Sequence, residues 1–431
     1  MSRAPNSSPV ERVLEGAAGE NEVRDGAVTV ERPTLEEFTA AAEAFLAARW
    51  PLKQDGGPRP FVWGEGSDEM KVFQEPDPAA EADELAAVRA WRRAVFDAGY
   101  GWITGPVEYG GAGLPSAYEK AFTALTRRYN VPGDAMLTVG LGMIAPTILR
   151  HGTDEQRRRW LPPLYRGDIF ACQLFSEPDA GSDLAGLKTR AVRDGEVWRL
   201  SGQKVWTSGA HYSDIGLLLT RTSPGPRHRN LTAFLVDMAA PGVEVRPLRQ
   251  MTGGASFNEV YLDDVVVPDT DRLDEEGRGW PVALTTLSHE RSAMGHSAFG
   301  GVGLLRTDRL LALVRHLGCA DDPVVRQHLA ELIVQLRVAR LNQQRMQDLT
   351  RAGGKPGPEL SMAKLALSTN IARLADFAAS VLGPRITADT GEWGTYAWTA
   401  LLLGGPGYRL GGGTDEIMRN ILAERVLGLP R

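Results

Sequence analysis

From about Phe170 the chain changes texture. Short apolar runs, Val197–Leu200, Lys204–Thr207, Ile215–Thr220, Ala233–Val236, Val243–Val245 and Val260–Val267, follow one another with Gly, Pro, Asn and Asp between them. That punctuation predicts a central antiparallel β unit, closed by Pro268 and the acidic stretch to Glu276. On either side the period is helical. Residues 33–50, about 79–99, about 115–130, 137–150 and 153–166 carry apolar side chains at helical spacing. Beyond Trp280, Val325, Leu329, Leu332, Leu336 and Ala339 fall at i, i+4, i+7, i+11 and i+14, one amphipathic face. Residues 359–381 repeat the habit, and 415–427 form a last helix after a glycine turn. Long helices packed side by side read as an antiparallel bundle.

The fold class is therefore α+β and multi-domain. With 431 residues the length suggests about three domains. The boundaries are a flexible N-terminal extension (1–32), an N-terminal helical domain (33–168), a β domain (169–275) and a C-terminal helical bundle (276–431). No internal repeat is visible.

Composition removes several functions. A net charge of −6 argues against nucleic acid as a partner. Cys172 and Cys319 are far apart in sequence and offer neither a disulfide framework nor a thiolate cluster. The acidic N-terminal stretch lacks the apolar segment of a secretory signal. The apolar run Val139–Leu149 is broken by Pro146 and is shorter than the roughly 18 residues of a membrane span. Lys is scarce against Arg, which points to a GC-rich genome and a bacterial cytoplasm; selection for Arg on the surface is the other account. Common catalytic motifs are missing. No G-x-G-x-x-G follows a strand, Gly353–Pro356 lacks the spacing of a phosphate loop, and Ala293 stands where a zinc helix starting at His289 would need its second His. No metal site is expected.

Two segments stand out. In Cys172–Gly186, Pro178 and Gly181 force a turn, while Ser176, Ser182 and backbone N–H groups offer hydrogen bonds to a planar heterocycle or a phosphate. An ordinary polar turn would look the same. In Gly202–Ala210, Trp206 could set its indole beside a flat ligand with Thr207 and Ser208 at the rim, or fill a β core.

CQLFSEPDAGSDLAG (172–186), GQKVWTSGA (202–210) and GGGTDEIMRNILAERVLGLPR (411–431) together resemble the acyl-CoA dehydrogenase family, and HGTDEQRRRWLPPLYRGD (151–168) and FNEVYLDDVVVP (257–268) are similar to it as well. The resemblance runs in order from about residue 33 to the end. It implies an α domain, a β-barrel-like domain and a C-terminal four-helix bundle, with FAD as cofactor. By that resemblance Gln173, Phe175 and Ser176, with Gly181 in the same loop, lie along the isoalloxazine ring, and Trp206 and Ser208 flank it. Ser182 matches a position that contacts the pantetheine or phosphate part of the acyl-CoA. Thr414 and Glu416 match the pyrophosphate side of the cofactor, and Gly383 a loop that reaches FAD across a subunit interface. The Arg-x-Phe-Gly element of the adenine end is not intact; Arg315 is its nearest remnant.

The reaction implied is α,β-desaturation of an acyl-CoA thioester, the α-proton going to a carboxylate base and the β-hydride to flavin N5. Many members carry the base two residues before the Thr of E-G-T, and here that position is Gly412. A branch including the isovaleryl- and long-chain dehydrogenases places it on the first bundle helix, before an Arg, and Leu287–Arg291 matches. Glu290 is then the base, with Arg291 orienting it or the substrate; a helical charge pair is the plainer account of the same two residues. The partners implied are an acyl-CoA, an electron-transfer flavoprotein and further subunits, as a homodimer or homotetramer. Two alternatives stand beside this reading. One is a binding subunit of a heteromeric dehydrogenase; the other is a flavin oxidase, monooxygenase or carrier-protein-tethered acyl dehydrogenase. The acyl group is not legible.

Overall fold

In the computed structural model, which describes residues 32–53, 61–70, 78–300, 307–354 and 357–430, two of the N-terminal helices start on capping boxes. Apart from Arg32, the extension 1–32 lies outside the described residues, as do the side chains of 291–300. Helix α1 (Leu35–Ala47) opens with a capping box in which the Thr34 hydroxyl accepts from Glu37 N and the Glu37 carboxylate accepts from Thr34 N. Helices α2 (Pro78–Asp97), α3 (Ser116–Thr126), α4 (Ala145–His151) and α5 (Asp154–Arg166) follow, the last with a second capping box between Thr153 and Gln156. Phe38, Leu46, Trp91, Val95, Phe122 and Leu125 bury one face of α1, α2 and α3 against each other.

The sheet has eight strands among the described residues: β1 (Ala171–Leu174), β2 (Arg190–Asp194), β3 (Val197–Ser208), β4 (Ile215–Arg221), β5 (Leu231–Asp237), β6 (Val243–Leu248), β7 (Phe257–Pro268) and β8 (Arg272–Leu273). Their order is β6-β7-β3-β2-β4-β5-β8, with β1 pairing β4 in parallel beside this path. The sheet is thus mixed, though antiparallel pairs dominate. The runs Val197–Leu200 and Lys204–Thr207 belong to one strand. Register shifts against β7 between Leu200 and Gly202, and again between Lys204 and Thr207, interrupt its alternation. Such bulges bend a strand and re-aim its side chains. Strands β1, β2 and β8 lie outside the apolar runs of the sequence.

The described residues of Met1–Gly56, Pro76–Leu248 and Phe257–Thr286 form one unit, and those of Gly57–Glu75, Arg249–Ser256 and Leu287–Arg431 a second. In the first, the helices are tied to the sheet by polar contacts. Gln156 Nε2 donates to the carbonyls of Thr270 and Arg272 at 2.7 and 2.8 Å, and Arg159 meets Asp271 at 2.8 Å. Burial pushes the Asp271 carboxyl up to about 6 against the pull of Arg159.

Helix α6 (Gly279–Gly300) begins in the first unit and ends in the second. The second unit continues with α7 (Thr307–His316), α8 (Pro323–Arg351), α9 (Leu360–Leu382), α10 (Trp398–Leu410) and α11 (Asp415–Ile421). Leu329, Leu332, Leu336 and Ala339, the stripe legible in the sequence, are buried. The stretch Leu360–Ile386 is long and apolar enough to cross a membrane, yet half of its apolar window lies inside the protein, where Lys364, Ser368 and Asn370 are buried with it.

A strap from the chain between α1 and α2 completes this second core. Met70 is buried among Leu310, Leu313, Leu374 and Trp398. Trp63 stacks on His316 at 4.6 Å, Trp393 Nε1 donates to the Gly66 carbonyl at 2.9 Å, and Gly394 N donates to Asp68 at 2.7 Å. Met70→Ala is expected to lower stability by about 2–5 kcal/mol, the range for truncating a buried long side chain. Thermal and denaturant unfolding measure it. An unchanged midpoint would mean that the strap only lies along the surface.

Candidate functional site

In the first unit the loop after β1 is clasped to β3. Val205 N donates to the Ser176 carbonyl at 2.9 Å, and Lys204 Nζ donates to the Phe175 carbonyl at 3.1 Å. Lys204 also meets Glu177 at 2.9 Å, both side chains being buried. The Glu177 carboxylate accepts from Lys188 N at 2.6 Å and Thr189 N at 2.8 Å, which fixes the far end of the loop. Burial pulls the Lys204 ammonium down to about 8. Burial also opposes ionisation of Glu177, but the Lys204 charge and the hydrogen bonds from 188–189 outweigh it and hold the carboxyl below its usual range. Neither residue was singled out in the sequence.

The bulge decides where Trp206 goes. Lys204 and Val205 are both buried, so the alternation slips; Trp206 and Ser208 then face outward together, with Thr207 buried between them. Trp206 is 57% exposed, which excludes the β-core account of its indole. Its φ of 62° is left-handed, a conformation that costs an L-residue about 1–2 kcal/mol. Strain of this kind collects at ligand sites. Phe257 meets the indole edge-on at 5.8 Å. Within the same unit Gln173 is half-buried on β1, Phe175 is buried, Ser176 is half-buried, and Gly181 and Ser182 are exposed. A Cβ at Gly181 would meet open space, so no contact inside the chain demands a glycine there, whereas a ligand lying on the backbone would. Thr207, expected at the rim with Ser208, is turned inward by the same slip. An outward indole, the Ser208 hydroxyl beside it and a clasped loop with accessible backbone fit a flat, hydrogen-bonding ring such as a flavin.

The second unit holds the remaining candidates. Gly412 and Gly413 have φ of 69° and 93°, and a Cβ on Gly413 would lie 2.6 Å from the Met418 methyl, so the glycine turn is imposed by the backbone. Thr414 caps α11 by accepting from Ile417 N at 3.2 Å, which leaves its O–H to donate. Glu416 is exposed and reaches Arg419 at 3.3 Å. Between them Asp415, missed in the sequence, is buried. It accepts from Ser368 Oγ at 2.6 Å, Arg409 Nε at 2.9 Å and Lys364 Nζ at 3.1 Å. Burial opposes its ionisation, and those three donors reverse the balance and keep the carboxyl low. The network pins the turn to α9 and α10. Gly383 ends α9 with φ 54°, and a Cβ there would again meet open space. Arg315 is exposed near the end of α7, next to the His316 covered by Trp63. Glu290 is half-buried on α6; the side chain of Arg291 lies outside the described residues.

Comparison with known proteins identifies the family. Residues 71–168, 172–265 and 277–427 match the N-terminal, middle and C-terminal domain models of acyl-CoA dehydrogenases. The chain is 38% identical over 358 residues to the acyl-CoA dehydrogenase IpdE1 of Mycobacterium tuberculosis, covering 82% of this chain and 91% of that one. It is 39% identical over 360 residues to the acyl-CoA dehydrogenase FadE34 of the same organism. That match covers 83% of this chain but 48% of the relative, so the chain spans about half the length of FadE34. Among solved structures, the Tcur3481–Tcur3483 steroid ACAD superposes with a TM-score of 0.68 at 26% identity, covering 94% of this chain and all of that one. The chain belongs to the acyl-CoA dehydrogenase family of flavin-dependent oxidoreductases.

Proposed function

We propose that the chain is an FAD-dependent dehydrogenase that introduces an α,β double bond into an acyl-CoA with a bulky, ring-containing acyl group. The observation that carries the reading is the clasped loop beside the outward pair Trp206 and Ser208. Gln173, Phe175, Ser176, Trp206 and Ser208 hold the ring of the cofactor, and Thr414, Glu416, Gly383 and Arg315 the rest of it. The flavin, when bound, supplies the two-electron oxidant. Ser182 binds the acyl-CoA. The Glu290 carboxylate takes the α-proton, and Arg291 orients it. Placing the base on α6 is supported by the left-handed φ of Gly412, where a side chain would be strained. A bulky acyl group is supported by the steroid ACAD among the similar structures. An electron-transfer flavoprotein then accepts the electrons.

Absorbance bands of a flavin in the purified chain, followed by a panel of acyl-CoAs with an artificial electron acceptor, test this reading. The expected result is faster turnover of a fused-ring acyl-CoA than of straight short chains. A flavin-bearing chain that turns over only straight chains would overturn the substrate class. One that reduces with none of them, or reacts rapidly with oxygen, would overturn the activity.

A second reading has its own support. The similar steroid ACAD, Tcur3481–Tcur3483, is named for two proteins, and the adenine-end element is reduced here to Arg315. A chain that is colourless alone and takes up flavin only with a second, related subunit would establish the heteromeric reading instead.

A further inference from the structure

A polar chain runs through the first unit to the backbone between Trp206 and Ser208. Asn258, on β7, is paired with Thr207 of β3 just after the second register shift, and both residues are 1% exposed. The Asn258 side-chain nitrogen donates to the Thr207 carbonyl at 3.1 Å and lies 3.2 Å from His211 Nδ1. On the far side of the ring, His211 Nε2 lies 3.0 Å from both carboxylate oxygens of Glu81, in the first turn of α2. His211 follows β3 in a single turn, Ala210–Tyr212, folded back so that a Cβ on Gly209 would collide with the Tyr212 hydroxyl.

Donor accounting fixes the direction of each bond. Turning the Asn258 amide over would set its oxygen against the Thr207 carbonyl, acceptor against acceptor, so the nitrogen stays where it is. Its two N–H groups then serve Thr207 and His211, and His211 Nδ1 must accept. The imidazole is therefore neutral, with the proton on Nε2 donated to Glu81. A second proton, on Nδ1, would face the Asn258 N–H, donor against donor. The amide can relieve that clash only by turning or withdrawing, and in either case the carbonyl of the buried Thr207 loses this donor.

His211 is within reach of water, since its side chain is 37% exposed and borders an open cavity of about 420 Å³. Besides Glu81, the ionisable groups around His211 and Tyr212 are Glu84 and Arg89 on α2, Cys172 on β1, Asp214, and Asp237 at the end of β5. The single cation among them, Arg89, is committed to Asp214 at 3.3 Å.

We propose that Asn258 is a positioning residue for the flavin-flanking pair, holding the Thr207 peptide between Trp206 and Ser208, and that protonation of His211 releases it. The inference rests on the reading that these two side chains flank the flavin. It gives the site a hold on its cofactor that weakens in acid.

Two measurements on the full chain test it, neither of them turnover. The first is the imidazole nitrogen spectrum, in which the His211 signals are those missing from His211→Asn. At pH 8 they are expected to report a proton on Nε2 and a bare Nδ1. The second is the FAD dissociation constant by fluorescence titration at pH 8 and pH 5, limits between which an ordinary imidazole gains its proton. Wild type is expected to bind FAD about tenfold more weakly at pH 5. His211→Asn keeps a side-chain acceptor near the Nδ1 position and has nothing to protonate. It should bind within about twofold of wild type at pH 8 and lose most of the fall at pH 5. Asn258→Asp cannot donate to the Thr207 carbonyl and is expected to weaken FAD binding about tenfold or more at pH 8. Melting curves of each variant separate loosened binding from unfolding, and the two His211 readouts decide the matter if Asn258→Asp does not fold. A proton on Nδ1 at pH 8, equal falls in wild type and His211→Asn, or FAD held by a folded Asn258→Asp as tightly as by wild type would each overturn the proposal. Wild type that takes up no FAD at either pH would overturn the reading of the site along with it.

Discussion

Glu290→Gln is expected to leave a folded, yellow protein whose turnover of its acyl-CoA falls about 10²–10⁴-fold, the usual worth of a positioned general base. The amide keeps the shape and hydrogen-bonding reach of the carboxylate but cannot hold the α-proton. The loss should therefore fall on kcat and on kcat/KM alike, with flavin absorbance and melting temperature close to those of wild type. Glu290 sits on α6, half-buried, and α6 is a continuous helix from Gly279 to Gly300, so the substitution disturbs no turn or cap. A second arm examines the other position. Gly412→Glu, placed in the Glu290→Gln background, is expected not to restore turnover. Its side chain would have to be carried at φ 69°, at a cost of about 1–2 kcal/mol, on a turn held by the buried Asp415. Wild-type rates in Glu290→Gln would move the base elsewhere, and recovery by Gly412→Glu would show that the turn tolerates one.

Lys204→Met should be the most damaging substitution in the first unit, destabilising it by about 3–5 kcal/mol, because it leaves Glu177 charged, buried and without its partner. The carbonyl of Phe175 loses a donor in the same step. Adding Glu177→Gln is expected to recover part of the loss, since the amide oxygen can still accept from Lys188 N and Thr189 N while the unpaired charge is gone. Flavin retention should follow stability through this series, because the clasp shapes the loop rather than touching the ring. The pH dependence has a definite sign. Folded Lys204 titrates at about 8, below the ordinary value of roughly 10.4, so between these limits the unfolded chain binds the proton that the native chain has released. The unfolding free energy due to this group therefore rises with pH across that window and is flat below it. Denaturant melts of wild type against Lys204→Met from pH 7 to 10 isolate that slope. A difference that is constant with pH would mean that Lys204 stays protonated in the fold.

The helical parts of the fold were legible because their signal is local. Leu329, Leu332, Leu336 and Ala339 repeat at 3.6 residues in the sequence and share a core in the structure. The β domain was legible in kind, while its details depend on distant pairing. Strand β1 is four residues inside what reads as a turn-rich loop, and its parallel partner begins at Ile215. The register shift between Leu200 and Gly202 falls where one strand reads as two apparent runs, and a second at Trp206 breaks the period of two. Helix α10 was hidden by Gly404, Gly405, Pro406 and Gly407 in its own interior.

The site shows the same division. Motifs marked the loop and the Trp206 strand, but spacing alone could not say whether the indole lay in a core or faced out. The buried cations did leave a trace. Lys204 and Lys364 are buried, while Lys53, Lys120 and Lys188 are exposed, in a chain that otherwise prefers Arg. A lysine kept inside an apolar run, as in Gln-Lys-Val-Trp or Met-Ala-Lys-Leu, is a signal for a specific carboxylate partner. The strap at 61–70 offered none, since its partners lie hundreds of residues away.

That strap sets a schedule for biosynthesis. Trp393, whose indole N–H meets Gly66, is made 327 residues after it. At ribosomal rates of about 5–20 residues per second, the interval between the two is about 15–65 s. Through that time Trp63 and Met70 have emerged without the surfaces that later cover them, so the last helices to be translated decide when apolar side chains made near the beginning are withdrawn from water.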